Sequence, residues 1–433
     1  MEPPKRFETS FPVVDRTMNR RNLLLSATLT AMAGVTPNRA AAQSTLQFET
    51  FGVVGDGITD DTAALNRGLA ASALQQAHIF GRPGARYRVH PGGEKQFVNP
   101  AGAQITKPFC VQVPTGASVD FAGATLEVTE HIDSVVLSNS NTTGNNDVIN
   151  LRNLSLNGGN FTSTVPVVWF HGCQKSAFLN ISMHNTRYIA VLFSALRNSH
   201  IHNIAIADST GQAIQMGGNT AHQISDCIIS NLSAINISDF YAQHEPDNPV
   251  LIGASRTTID NIYARNCSGG IKITANSSHI EIGSTYFDGG TTQNCGLKLQ
   301  GDDNAWCSNI RVNSVVSSNC RGSGLYIKNA AHCFIGSYEG VGNGWGGQDP
   351  DVWLEGGDIN IGTLQSKSSG GTALLVRQDC GHYAIGSVTI DGAGKTKPEA
   401  DITVAGGSGS IRNLHAGKIS QSPSATLMIE NRN

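Results

Sequence analysis

The sequence predicts an all-β chain wound as a right-handed parallel β-helix of roughly ten or more coils, with an amino-terminal capping helix. Three observations carry this: a recurrent apolar-x-apolar triplet, an isoleucine at a near-fixed distance after each triplet, and a composition rich in glycine and poor in charge. The chain has 433 residues, 48 of them glycine, and 15 % are charged. Average globular proteins have roughly 7 % glycine and 25 % charge, so turns are favoured over helices. With 39 % hydrophobic residues and a net charge of −3, the chain is neither disordered nor a basic nucleic-acid binder.

The first 42 residues read as an export leader. Leu23 to Val35 is apolar but too short to span a bilayer. Arg20-Arg21 precede it and Ala40-Ala41-Ala42 follow it, which resembles a twin-arginine signal peptide with a small-residue cleavage site. Asn19 stands where Ser or Thr is usual, which leaves a general secretory signal as the alternative, and Met18 is a candidate start. The expected location is periplasmic or secreted, with no membrane contact after the leader is removed. Nine cysteines cannot all pair, and no Cys-x-x-Cys spacing suggests a zinc site; they are expected as small buried apolar side chains.

The triplets are Val191-Leu192-Phe193, Ile214-Gln215-Met216, Val250-Leu251-Ile252, Ile271-Lys272-Ile273, Leu297-Lys298-Leu299, Leu325-Tyr326-Ile327, Val352-Trp353-Leu354, Leu374-Leu375-Val376 and Ile402-Thr403-Val404. Their centres are 21 to 28 residues apart, with one step of 36. Period-two alternation makes each triplet a strand with its flanks inward and its centre outward. Eight to twelve residues after each centre comes Ile201, Ile224, Ile259, Ile282, Ile310, Ile335, Ile361, Ile385 or Ile411. Small polar turns lie between, so each repeat is one circuit of a coil. Leucine-rich repeats would need an L-x-x-L-x-L frame and regular helices, which are missing. An earlier coil is expected to centre on Trp169.

Upstream, Phe51-Gly52-Val53-Val54-Gly55-Asp56-Gly57-Ile58-Thr59-Asp60-Asp61-Thr62 resembles the amino-terminal signature of the pectate-lyase-like superfamily of right-handed β-helices. That superfamily includes polygalacturonases and related glycoside hydrolases, mannuronan epimerases and phage tailspikes. The resemblance implies a strand and turn leading into a capping helix, with Asp60, Asp61 and Thr62 at its start and an Ala/Leu-rich run to Ala77. Asp56 and Asp60 are then structural. The expected organisation is leader 1–42, cap and first coils 43–120, parallel β-helix 121–415 and a carboxyl-terminal tail 416–433.

Outward triplet centres should form a ladder: Trp169, Leu192, Gln215, Leu251, Lys272, Lys298, Tyr326, Trp353, Leu375 and Thr403. Aromatic rings and ammonium groups at about 4.8 Å per coil suit an extended, carboxylate-bearing sugar chain. The long step before Leu251 carries an insertion, residues 238–249, dense in titratable groups: Tyr241, His244, Glu245 and Asp247. Long loops on a rigid solenoid collect function. This predicts an enzyme that binds and depolymerises an acidic polysaccharide, with β-elimination slightly favoured over hydrolysis or epimerisation. Lys272 or Lys298 would neutralise the substrate carboxylate, His244 or a lysine of lowered pKa would act as base, and Tyr241 as acid. Trp169, Gln215, Tyr326, Trp353, Asp208 and Asp351 are the expected substrate contacts. The alternative is a glycoside hydrolase using paired carboxylates, Glu245 with Asp247 or Asp208. A further alternative is a non-catalytic glycan-binding or cell-surface β-helix.

Gly301-Asp302-Asp303 is similar to the G-D-D of polygalacturonases but follows the Lys298 strand instead of preceding it. Asp302 and Asp303 are therefore expected in a polar turn, with Ca²⁺ the only candidate ion there. No other cofactor is expected, and a monomer and a homotrimer both remain open.

Overall fold

The computed structural model describes residues 45–432, apart from 130–132, 145–146, 160–164, 219–221, 241–247, 290–294, 347–348 and 394–399. Within these, the chain winds as a parallel β-solenoid of about 13 turns. The predicted leader lies outside the described residues.

All nine triplets form strands, and neighbouring triplets are register partners from Trp169–Leu192 through Leu192–Gln215, Gln215–Leu251, Leu251–Lys272 and Lys272–Lys298. The row continues through Lys298–Tyr326, Tyr326–Trp353, Trp353–Leu375 and Leu375–Thr403. The triplet flanks are buried along the whole row; Ile271, Ile273, Leu325 and Ile327 are all 0 % exposed. A fully buried side chain of this size stabilises by about 1.5–3 kcal/mol.

The second inward row departs from the sequence reading at two rungs. Ile201, Ile259, Ile282, Ile335, Ile361, Ile385 and Ile411 stack as predicted, but Ile229 and Val312 hold the places given to Ile224 and Ile310. Ile224 pairs with Ala254, and Ile310 with Ile280. Both are still buried. The segments between triplet and second strand differ in length, so spacing alone selects the wrong inward residue.

Corners are set by asparagine. Asn153, Asn180, Asn203 and Asn231 adopt φ of 55°, 56°, 54° and 56°, a left-handed conformation that Asn tolerates best among side-chain-bearing residues. The side-chain amides of Asn180, Asn203 and Asn231 each donate to the side-chain oxygen of the Asn one coil before, at 2.8–2.9 Å, and that of Asn153 donates to Asp120 at 2.9 Å. Asn266, Asn236 and Asp208 form a second such ladder, with each Asn donating to the residue one coil before at 2.8 Å.

A helix, Thr62–Gln75, caps the amino-terminal end and buries Leu65 and Leu69 completely. Asp61 stands at the N-cap position but does not cap: its carboxylate accepts from the amides of Val54 at 2.7 Å and Gly55 at 3.0 Å. Asp60 instead accepts from the Thr62 amide at 3.0 Å. Asp56 ties its own turn, accepting from the amides of Ile58 and Thr59.

An antiparallel hairpin, Gly93–Val98 with Gln104–Val113, leaves the first coils. It folds over the outward face: Phe97 stacks on Trp169 with ring centroids 4.9 Å apart, in a separate apolar cluster that includes Ile189 and Leu192. The segment after 416 continues the solenoid, Ile419–Gln421 pairing with Ile402–Val404 and Thr426–Arg432 with Ser408–His415. Among the described residues, no helix is long and apolar enough to cross a membrane. All nine cysteines are free thiols, eight of them buried.

Candidate functional site

Strand alternation turns the triplet centres outward, and the hairpin decides which of them meet solvent. Trp169 and Leu192 are 1 % and 0 % exposed beneath it. Trp169 is therefore no open stacking platform, a correction to the sequence reading. The apolar positions of the hairpin that cover it, Phe97, Ile105 and Phe109, were the missed signal. Gln215 is 9 % exposed at the hairpin edge, and from Leu251 to Thr403 the row is half-exposed.

Lys272, Lys298, Tyr326 and Trp353 are consecutive on this open stretch. The Tyr326 and Trp353 rings lie 5.5 Å apart at 39°, and the Arg377 guanidinium sits 5.0 Å over the Trp353 ring. Two residues along each strand, on the same face, a parallel row carries Gln300, Lys328 and Glu355. Trp353 Nε1 donates to Glu355 Oε2 at 3.0 Å, while Lys328 and Arg377 approach the same carboxylate at 3.5 and 4.0 Å. Sequence reasoning missed Lys328, Glu355 and Arg377, although the period of two that places Trp353 outward places them outward as well.

Asp349, in the turn entering the Trp353 strand, keeps an exposed edge. The protein mass around its carboxyl nevertheless raises its pKa, and the charge of Lys298 pulls it back. Asp351, two residues on, points the other way. It is 0 % exposed and accepts from the Tyr338 hydroxyl, the Ser366 hydroxyl and, at 2.9 Å, the Asn343 amide. Asp351 is thus part of the interior and not a substrate contact, because the backbone turns it under the sheet before the triplet begins. Gly324 makes this possible: a Cβ there would fall 2.0 Å from the Tyr338 hydroxyl and 2.4 Å from Asn343 Nδ2. Asp208, the other expected contact, is a corner residue with φ 50° that accepts from Asn236; stitching neighbouring coils accounts for it.

Tyr241, His244, Glu245 and Asp247 lie outside the described residues. Their insertion re-enters the sheet at Val250–Ile252, where Leu251 is the register partner of Lys272. Asp302 closes a tight turn by exchanging backbone hydrogen bonds with Ala305, and Asp303 accepts from Asn329 at 3.3 Å. No group of three or more His, Cys, Asp or Glu side chains that could hold a metal ion occurs among the described residues.

Next to the covered end of the row, His171 is 2 % exposed, with Nδ1 hydrogen-bonded to Ser194 Oγ at 2.8 Å. Burial, aided by His222 5.4 Å away, pushes its pKa down to about 4.

No family model and no curated protein matches the chain. Solved structures do. The chain is similar to the A-module of mannuronan C-5 epimerase AlgE4 from Azotobacter vinelandii, with a TM-score of 0.48 and 13 % identity over 87 % of this chain and 100 % of that one. It is also similar to the surface protein and adhesin PfbA of Streptococcus pneumoniae, with a TM-score of 0.42 and 14 % identity over 90 % and 99 %. Tailspike protein 3 of bacteriophage CBA120 gives 0.47 and 12 % identity over 89 % and 61 %. The matched structures are right-handed β-helix proteins.

Proposed function

We propose that the open stretch from Lys272 to Leu375 binds an acidic polysaccharide and that the protein, exported from the cytoplasm, depolymerises it by β-elimination. The observation that carries the reading is the in-register succession Lys272, Lys298, Tyr326 and Trp353 on a half-exposed face. Ammonium groups pair with uronate carboxylates, and the rings offer faces to pyranose carbons.

In the elimination, Lys298 or Lys272 neutralises the carboxylate and so acidifies the C5 proton. A base, His244 or a neighbouring lysine, takes that proton. The released electron pair forms the C4–C5 double bond as the C4–O bond breaks, and an acid, Tyr241, protonates the departing oxygen. Lyase chemistry is favoured over hydrolysis because two ammonium groups stand on the open face while three described carboxylates near it are otherwise engaged; a hydrolytic pair of Glu245 with Asp247 is the alternative. Asp351 is interior, Asp208 holds a corner, and Glu355 is shared by Lys328, Arg377 and Trp353.

A panel of polyuronates and neutral polysaccharides, followed by ultraviolet absorbance and by reducing-end assay, tests this. Both signals rise for a lyase. Reducing ends without absorbance mean a hydrolase, and binding with neither signal means a glycan-binding protein or an epimerase, which exchange of the C5 proton in deuterated water separates.

A further inference from the structure

The hairpin that hides Trp169 also forms one wall of a half-open cavity of about 410 Å³, within the roughly 300–1,000 Å³ usual for small-ligand sites. Asn99 and Ile105 line it from the hairpin; Trp169, Tyr188, Gln212 and Gln215 line it from the outward face of the sheet. Among the described residues no charged side chain lines it. Amide groups facing aromatic rings suit a polyhydroxylated, uncharged ring: hydroxyls exchange hydrogen bonds with the amides while ring carbons lie against the aromatics.

A second observation concerns one of the lining side chains. Trp169 Nε1 is buried without a hydrogen-bond partner among the described residues, although a buried indole N–H ordinarily finds one. Its position matters as well. Trp169, Leu192 and Gln215 continue the same register row as Lys272, so the cavity lies at the end of the proposed binding face. Beyond it the row is buried, Leu192 and Trp169 being 0 % and 1 % exposed beneath the hairpin, and the hairpin tip is seated on the Gln215 coil, where Pro100 packs so closely on Gly218 that a Cβ there would fall 2.3 Å from the Pro100 carbonyl oxygen.

We propose that this cavity is a chain-end subsite for one neutral pyranose unit. Its place at the end of a polymer rests on the preceding reading; its affinity for a neutral sugar does not. The substrate class becomes a mixed polysaccharide with a neutral terminal sugar followed by uronates along Lys272 and Lys298.

Saturation-transfer NMR on the mature protein tests it, using methyl glucoside, galactoside and mannoside, with glucuronate as the charged control. At least one neutral glycoside should bind saturably and glucuronate should bind more weakly. Trp169→Phe, which keeps the stacking on Phe97 but removes the N–H, and Gln215→Leu should each weaken that binding about 3- to 10-fold. Lys298→Ala should leave it unchanged while weakening a polyuronate. No saturable binding by any neutral glycoside overturns the proposal, and so does binding that both variants leave intact. If glycosides bind but no polymer does, the subsite stands and the polysaccharide reading fails.

Discussion

Tyr326 and Trp353 are register partners on neighbouring coils, with ring centroids 5.5 Å apart and Arg377 capping the second ring. This places two aromatic rings directly after two lysines on one row, with a cation over the second ring. Trp353→Ala and Lys298→Ala should each weaken binding of a polyuronate about 3- to 10-fold, as expected for loss of one stacking or cationic contact. Isothermal titration at two salt concentrations separates the two roles. Added salt should weaken wild-type binding, and the dependence should shrink in Lys298→Ala but persist in Trp353→Ala. Equal salt dependence in both variants would contradict the assignment.

His171 makes stability depend on pH. Its folded pKa of about 4 lies below the ordinary 6.5, so between these values the unfolded chain binds more protons. Stability is therefore highest at and above neutral pH and falls as the pH drops through 6.5 towards 4, by up to about 3 kcal/mol from this group. Urea unfolding across that interval should show the slope, and His171→Gln should reduce it. An unchanged slope would assign the effect elsewhere.

The buried carboxyl of Asp351 gathers Tyr338, Ser366 and Asn343. Asp351→Ala leaves the Tyr338 and Ser366 hydroxyls without their acceptor in a dry interior, while Asn343 keeps Ser317, and should cost about 3–5 kcal/mol; Tyr338→Phe, which removes the hydroxyl between Asn343 and Asp351 but leaves the carboxyl its other donors, should cost about 1–2 kcal/mol. Thermal unfolding followed by circular dichroism measures both. Glycan binding at low temperature should survive in each, since Asp351 faces away from the row.

Asn231 serves two roles, a left-handed φ of 56° and hydrogen bonds to Asn203 and Asn261. Asn231→Ala loses both and should cost about 1–2 kcal/mol; Asn231→Gly keeps the backbone conformation and should recover part of that. Equal midpoints in denaturant for the two variants would mean that the φ requirement contributes nothing.

The coil was legible because its signal repeats. Each triplet places two apolar residues inward, and an error at any one rung is outvoted by its neighbours, as Ile224 and Ile310 show. The outward row was legible as a register, since Lys272, Lys298, Tyr326 and Trp353 lie where alternation places them. What alternation cannot encode is whether something lies on top. Trp169 satisfies the same pattern as Trp353 yet sits under Phe97, a contact between residues 72 positions apart in the sequence that no period announces. Asp351 fails for a related reason: it falls just before the triplet, where the chain turns, and period two does not apply. Asp208 looked chemical because acids are scarce in this chain, but its corner position and positive φ make it one more member of an asparagine-type ladder.

Because every coil runs in the same direction, the row has distinct ends. From one end a linear molecule meets a covered, neutral recess, then two ammonium groups, then two rings; from the other it meets them in reverse. A sugar chain is itself asymmetric, with a reducing and a non-reducing terminus, so the two ways of laying it down differ in free energy. On the proposed reading the solenoid would thereby impose an orientation on a bound sugar chain, and with it a fixed choice of which terminus is presented first.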